Sequence, residues 1–230
     1  MNKATAGMSP RRAAETKKRI LIVDDHAILR EGLSDAIRRE PDLEVCGLCG
    51  DAYEALELAG RTQPDLALVD ISIGGKNGLE LIKDLQAHHP QIAVLALSMH
   101  EETLYAERVL RAGGRGYIMK QEGGQRVLEA IRQVLAGGIA VSPKVSAKVL
   151  NLFSGQSSDI SPMDRLTDRE LEIFQLIGQG KDNARIADQL HISPKTADVH
   201  RANIKEKLEI SSNAELIAFA ARWIETNGTV

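Results

Sequence analysis

Five short apolar runs, each followed by a segment of helical spacing, constrain this chain more than any other feature. The runs are "RILIV" (19–23), "LEVCGL" (43–48), "DLALVD" (65–70), "IAVLALS" (92–98) and "RGYIMK" (115–120). After them come "AILREGLSDAIRR" (27–39), "AYEALELAG" (52–60), "GLELIKDLQAHH" (78–89), "EETLYAERVLRAGG" (101–114) and "GQRVLEAIRQVLAGG" (124–138). In the first of these, Ile28, Leu29, Leu33 and Ile37 fall on helical spacing. Strands this continuously apolar do not suit a half-exposed antiparallel sheet. Alternating with helices, they predict an α/β fold, a five-stranded doubly wound parallel sheet over residues 19–137.

The pattern then changes. Residues 138–165 read as a linker, because "NLFSGQSSDISPMD" has Ser, Gly, Asp and Pro without period. Just before it, "PKVSAKVLNLF" has the makings of a short helix. Residues 166–226 predict a small all-α domain of four helices. Thr167 and Glu170 form a capping box, Asp182 caps a second helix, and Ser193 caps a third with Pro194 at its first position.

Composition removes several function classes. With 43% hydrophobic and 27% charged residues, the 230-residue chain is ordinary for a globular protein. No apolar run approaches the roughly 20 residues that span a bilayer. Residues 1–18 are basic and have no apolar core, which predicts a disordered tail rather than a signal peptide. A cytoplasmic location is the expectation. Cys46 and Cys49 sit on a strand and its exit, pointing to opposite faces, and no second pair completes a zinc site. Two partly buried thiols are expected. Acidic residues outnumber basic ones over 20–140 and again over 161–230, so any nucleic-acid footprint must be local.

The ends of the predicted strands carry the chemistry. Strand one ends in Asp24 and Asp25, strand three in Asp70, strand four in Ser98 and strand five in Lys120. A parallel sheet projects all five to one edge, where α/β folds bind ligands. Adjacent carboxylates repel one another, and a Mg²⁺ ion with oxygen ligands relieves this. A hydroxyl and an ammonium beside such a centre are what an incoming phosphoryl group needs.

Over roughly 19–137 the chain resembles the flavodoxin-like receiver domain of response regulators, through "ILIVDDH", "LALVDIS", "LALSMH" and "AGGRGYIMK". The resemblance implies that Asp70 accepts phosphate from a sensor histidine kinase. It implies that Asp25 and Asp70 bind Mg²⁺ with the Ser72 carbonyl, that Asp24 helps through water, and that Ser98 and Lys120 hold the phosphoryl group. Tyr117 matches the aromatic switch position. Two positions depart from the family pattern. Gly74 stands where proline is usual, which predicts a more flexible loop. Gln121 stands where proline often follows the lysine, and a cis bond there would cost about 3 kcal/mol.

The segment 166–210 reads as helix-turn-helix and resembles the LuxR-type DNA-binding domain of the NarL/FixJ response regulators. Leu166, Thr167, Arg169, Glu170, Ile186, Ala187, Leu190, Lys195, Thr196, His200, Asn203, Ile204 and Leu208 carry the match. Asp168 stands where proline is common. On a helical wheel of 194–208, Ala197, Ile204 and Leu208 share one face, flanked by His200 and Arg201. Lys195, Val199, Ala202 and Glu206 point the other way, flanked by Asp198 and Asn203. The second face is expected in the major groove, with Val199 on a thymine methyl and Asp198 accepting from cytosine N4. Lys195, Arg201 and Lys205 are expected on phosphates. Thr196, His200 and Asn203 add to the DNA reading by their spacing. By resemblance, the unphosphorylated receiver covers the recognition helix, and phosphorylation releases it and favours a homodimer. Two other classes stay open at this point: a receiver whose helical module binds protein, and a phosphohydrolase using Asp70 as nucleophile. The "DDHA" after strand one is not a phosphate-cradling Gly loop, which argues against a nucleotide or flavin enzyme.

Overall fold

The computed structural model describes residues 16–73, 77–100, 102–153 and 162–227. Residues 1–15 of the expected tail, Gly74 and the whole "SGQSSDI" stretch lie outside the described residues. The first unit runs β1 (Lys18–Val23), α1 (Ala27–Arg38), β2 (Leu43–Cys49), α2 (Ala52–Thr62), β3 (Leu66–Asp70), α3 (Gly78–His88), β4 (Ala93–Ser98), α4 (Glu102–Arg111), β5 (Gly116–Met119) and α5 (Gly124–Leu135). All pairings are parallel, in the order β2-β1-β3-β4-β5.

Alternation along the strands divides the core in two. Leu21, Val23, Ala67, Val69, Val94 and Ala96 pack with α2, α3 and α4 on one face. Ile20, Ile22, Leu66, Leu68, Leu95 and Leu97 pack with α1 and α5 on the other. Burial on both faces is why the strands lack polar alternation. Cys49 is buried, Cys46 is half-buried, and both are free. Burial pushes the Cys49 thiol up to about 12, so it is an inert packing group.

Two boundaries differ from the sequence reading. β1 begins at Lys18, whose ammonium reaches Asp65 at 2.8 Å. Lys120 is not a strand residue but opens a 3₁₀ turn, Lys120–Glu122, which swings its side chain back over the sheet edge. No cis peptide occurs among the described residues, so Gln121 follows Lys120 through a trans bond.

The second unit begins after α6 (Pro143–Phe153), the short helix expected before the linker, which packs on α4. It comprises α7 (Asp168–Gly178), α8 (Asn183–Gln189), α9 (Pro194–Lys207) and α10 (Asn213–Asn227). The capping residues act as their positions predict. Thr167 and Glu170 close the capping box, Asp182 accepts from Arg185 N–H, and Ser193 accepts from Thr196 N–H. Phe174, Phe219 and Trp223 form the aromatic centre of this unit.

Candidate functional site

The topology brings Asp24, Asp25, Asp70, Ser98 and Lys120 to one edge of the sheet. Asp24, Asp70 and Ser98 are fully buried. Burial is expensive for a carboxylate unless it is paired. Lys120 supplies the pairing, its Nζ lying 2.8 Å from Asp24 Oδ2 and 2.7 Å from Asp70 Oδ2. Burial pulls the ammonium's pKa down, but the two carboxylates outweigh it and raise it, so Lys120 stays charged. Burial raises the Asp70 carboxyl above its ordinary value, and Lys120 opposes that without cancelling it.

Backbone geometry fixes Asp70 further. Ser72 N–H donates to Asp70 Oδ1 at 3.0 Å. The start of α3 lies against the carboxylate's own backbone, where a Cβ on Gly78 would stand 2.3 Å from the Asp70 carbonyl oxygen. Gly78 is therefore required by close approach.

The acids form a donor set suited to a hard cation. Carboxylate oxygens of Asp24, Asp25 and Asp70 and one ring nitrogen of His26 lie within 4.8 Å of one another. Three oxygen donors at the mouth of a buried pocket fit Mg²⁺. His26 was not singled out from the sequence. It caps α1, donates its backbone N–H to Asp24 Oδ1 at 2.9 Å, and places Nδ1 2.7 Å from Asp25. Ser72 is beside the cluster, with its Oγ 3.0 Å from His100 Nε2.

His100 is a second residue missed in sequence. Its backbone N–H donates to Ser98 Oγ at 3.0 Å, and its carbonyl accepts from the Tyr117 hydroxyl at 2.7 Å. Its ring stacks on Tyr105 at 4.9 Å between centroids. Burial and the Lys120 charge pull its pKa down to about 4, so the ring is neutral near pH 7. No local signal marks it, since the contacts join β4, β5 and α4.

In the helical unit, α8 and α9 cross as a helix-turn-helix. Ala197 and Ile204 are buried, while Lys195, Asp198, Val199, Ala202 and Glu206 are exposed, as the wheel predicts. Val199 is 53% exposed, a large apolar side chain left in water. Thr196 is exposed at the helix start, its Oγ1 2.8 Å from Ser193 Oγ. Arg201, Asn203 and Lys205 lie half-buried on the flanks. His200 is also half-buried, and its Nδ1 is buried without a hydrogen-bond partner among the described residues. Asp198 is held by Asn183, a residue that the sequence reading passed over.

Comparison with known proteins agrees with both halves of this geometry. The family described as response regulator receiver domain matches residues 20–132. The one described as bacterial regulatory proteins, luxR family, matches residues 164–220. The response regulator GacA of Pseudomonas protegens is 38% identical over 204 residues, covering 89% of this chain and 95% of that protein. The chain belongs to the NarL/FixJ-type response regulators. It is a phosphorylation-controlled transcription factor and not an enzyme. The transcriptional regulatory protein DegU of Brevibacillus brevis is 32% identical over 228 residues, covering 92% of this chain and 97% of the relative. A solved structure of RcsB from Salmonella enterica serovar Typhimurium, bound to promoter rprA with a phosphomimetic, shares the fold at 21% identity, with a TM-score of 0.61 over 90% of this chain and 99% of that one.

The receiver and the DNA-binding domain are docked. Arg108 donates to the carbonyls of Met163 and Leu166 and to Asp168. Lys83 reaches the other oxygen of Asp168 at 2.9 Å. The two cations outweigh burial and hold the Asp168 carboxyl below its ordinary value. Asp168, the departure from proline noted above, thus serves as an interdomain anchor. Asn77 donates to Glu172 at 3.2 Å, and Tyr105 donates to Gln175 at 2.9 Å. A cleft of about 320 Å³ remains between the domains, lined by Asp25, Ser72 and His100 on one side and Glu172, Gln179 and Leu190 on the other.

This corrects the expectation that the receiver covers the recognition helix. The receiver is bonded to α7 and leaves a cleft beside the end of α8, while the outer face of α9 stays open. The reason is where the polar partners lie: Asp168, Glu172 and Gln175 all project from α7.

Proposed function

We propose that Asp70 is the phosphoacceptor of this response regulator and that its phosphorylation undocks α7. The observation that carries the reading is the bridge of Lys120 between two buried carboxylates, at the sheet edge where the buried Ser98 ends β4. The donor would be a phosphohistidine of a sensor histidine kinase. An Asp70 oxygen attacks phosphorus as the P–N bond breaks, and negative charge builds on the transferred oxygens. Lys120 and Ser98 are positioned to receive that charge. Asp25 and Asp70, with Asp24 behind them and the Ser72 carbonyl, would hold Mg²⁺, which neutralises phosphoryl charge when bound. His26 pairs with Asp25 and keeps its carboxylate at the pocket mouth.

After transfer, Ser98 is drawn toward the phosphoryl group. Its Oγ now accepts from His100 N–H, so His100 must adjust, and with it Tyr117 and the stacked Tyr105. Tyr105 holds Gln175 on α7. Loss of that bond, together with new charge opposite Glu172, favours release of the DNA-binding domain. Freed domains bind duplex DNA as a homodimer, with α9 in successive major grooves. The reading requires the chain to share a compartment with the genome, the cytoplasm of a bacterium. Acetyl phosphate with Mg²⁺ tests it: the native chain should be labelled and Asp70→Asn should not.

A further inference from the structure

An acid on a surface that faces a polyanion needs a reason. Asp198 is exposed on the outer face of α9, between Lys195 and Val199. Near phosphates it would only repel. Against base edges it has a use, because cytosine offers an amino donor in the major groove with an acceptor, guanine O6, on one side only. Adenine offers its amino group beside N7, an acceptor that repels a carboxylate.

The carboxylate is not left to rotate freely. Asn183, the first residue of α8, donates through Nδ2 to Asp198 Oδ1 at 2.9 Å and to the Pro194 carbonyl at 3.0 Å. One amide group thereby ties the start of α8 to the first turn of α9 and to one acidic side chain. The amide orientation is set by chemistry, since a flipped Oδ1 would face two acceptors. Asp198 Oδ2 has no hydrogen-bond or ion-pair partner among the described residues.

We propose that Asn183 is a positioning residue for base recognition: it engages Oδ1 so that Oδ2 of Asp198 faces the groove and accepts from cytosine N4 at one position of each half-site. This rests on the reading of α9 as the groove helix. A side chain held by a fixed neighbour loses less freedom on binding and reaches fewer wrong bases. Asn183 itself need not touch DNA.

Selection from randomised duplexes tests this with the full chain, Mg²⁺ and beryllofluoride. The native chain should choose cytosine at one position per half-site. Asp198→Ala should lose that preference roughly tenfold, as removal of one charge-assisted hydrogen bond predicts. Asn183→Ala should weaken it about threefold or more at that position and no other, and the double variant should match Asp198→Ala. Alanine is a good helix former in a first turn, and an unchanged melting temperature would verify the fold. Asp198→Asn provides a separate arm with Asn183 intact. Its Oδ1 still accepts from Asn183, its free amide now donates, and preference should move from cytosine to a base with an acceptor. The proposal is overturned if the native chain shows no cytosine position, if Asp198→Ala or Asp198→Asn leaves preference unchanged, or if Asn183→Ala alters every position equally or none. If binding shows no salt dependence at all, the groove reading of α9 fails first.

Discussion

The hydroxyl of Tyr105 donates to the side-chain oxygen of Gln175 at 2.9 Å, from α4 of the receiver to α7 of the DNA-binding domain. Both side chains are buried. Burial raises the phenol's pKa well above its ordinary value, so the bond is a neutral one at any accessible pH. It ends a chain of contacts that begins at Ser98 and passes through His100. Tyr105→Phe keeps the ring stack and leaves Gln175 without its donor. An unpaired buried polar group costs about 1–3 kcal/mol. The docked state should weaken by about that amount, and linker cleavage by a protease in the unphosphorylated protein should quicken. An unchanged rate would take this bond out of the coupling.

Asp70→Asn should abolish labelling by acetyl phosphate, as the proposed chemistry requires. Lys120→Ala removes the cation from two buried carboxylates. Breaking a buried ion pair on one side costs about 3–5 kcal/mol, so this variant should melt at lower temperature in the absence of Mg²⁺. Added Mg²⁺ should recover much of the loss, because it supplies charge to the same acids. Thermal melts with and without the ion check this, and the absence of recovery would argue against a cation at these carboxylates.

Glu172 gives a pH dependence with a definite sign. Burial raises its carboxyl pKa, Arg169 and Asn77 oppose that, and the charge of Asp70 adds to it. Glu172 lines the cleft that the receiver closes, so part of the burial that raises its carboxyl exists only in the docked state, where Asp70 adds to the rise and Asn77 offsets some of it. Docking therefore takes up protons. It is favoured below the ordinary glutamate value of about 4.3 and weakens as pH rises toward the raised docked value. Glu172→Gln keeps an acceptor for Asn77 and removes the charge. It should flatten this dependence and tighten docking above the window, read as a shorter mean distance between spectroscopic labels on the two domains. A native pH profile retained by the variant would assign the titration to another group.

Much of this architecture was legible because it rests on local signals. Strand hydrophobicity, the carboxylates at strand ends and the three helix caps are set by residues close in sequence, and the wheel of α9 follows from one periodicity. What the sequence did not disclose depends on meetings between distant segments. His100 looks like a loop residue until β5 and α4 close around it. Asp168 looks like a poor substitute for proline until Arg108 and Lys83, on α4 and α3, approach it. Asn183 reads as an ordinary helix start, and only the crossing of α8 over α9 gives its amide two acceptors. The wheel separated buried from exposed residues, but it could not show that docking acts through α7.

On the DNA side, charge and shape should separate by salt. Lys195→Ala or Arg201→Ala should weaken binding to every duplex and lower the slope of log affinity against log salt by roughly one. Val199→Ala should change preference at one base position with the slope intact, because a thymine methyl contact carries no charge. Titrations at several salt concentrations measure both. Unchanged slopes for the two basic variants would take them off the phosphates.

The last prediction concerns assembly. While docked, α7 is held by Arg108, Tyr105 and Asn77, so α9 is fixed relative to the receiver. Two chains joined through their receivers would then present their α9 helices at an angle dictated by docking rather than by DNA. Undocking frees each DNA-binding domain to align with its half-site. Joining two sites on one dimer raises affinity through effective concentration, without a new base contact. Beryllofluoride with Mg²⁺ should therefore raise both the mass in solution and the operator affinity of the native chain. Arg108→Ala removes three interdomain bonds and should raise operator affinity without the phosphomimetic, while leaving the mass at that of a monomer. Analytical ultracentrifugation and DNA titration on the same samples separate the two effects. If Arg108→Ala binds no better than the native chain, docking through α7 does not limit DNA binding, and dimerisation alone must account for the switch.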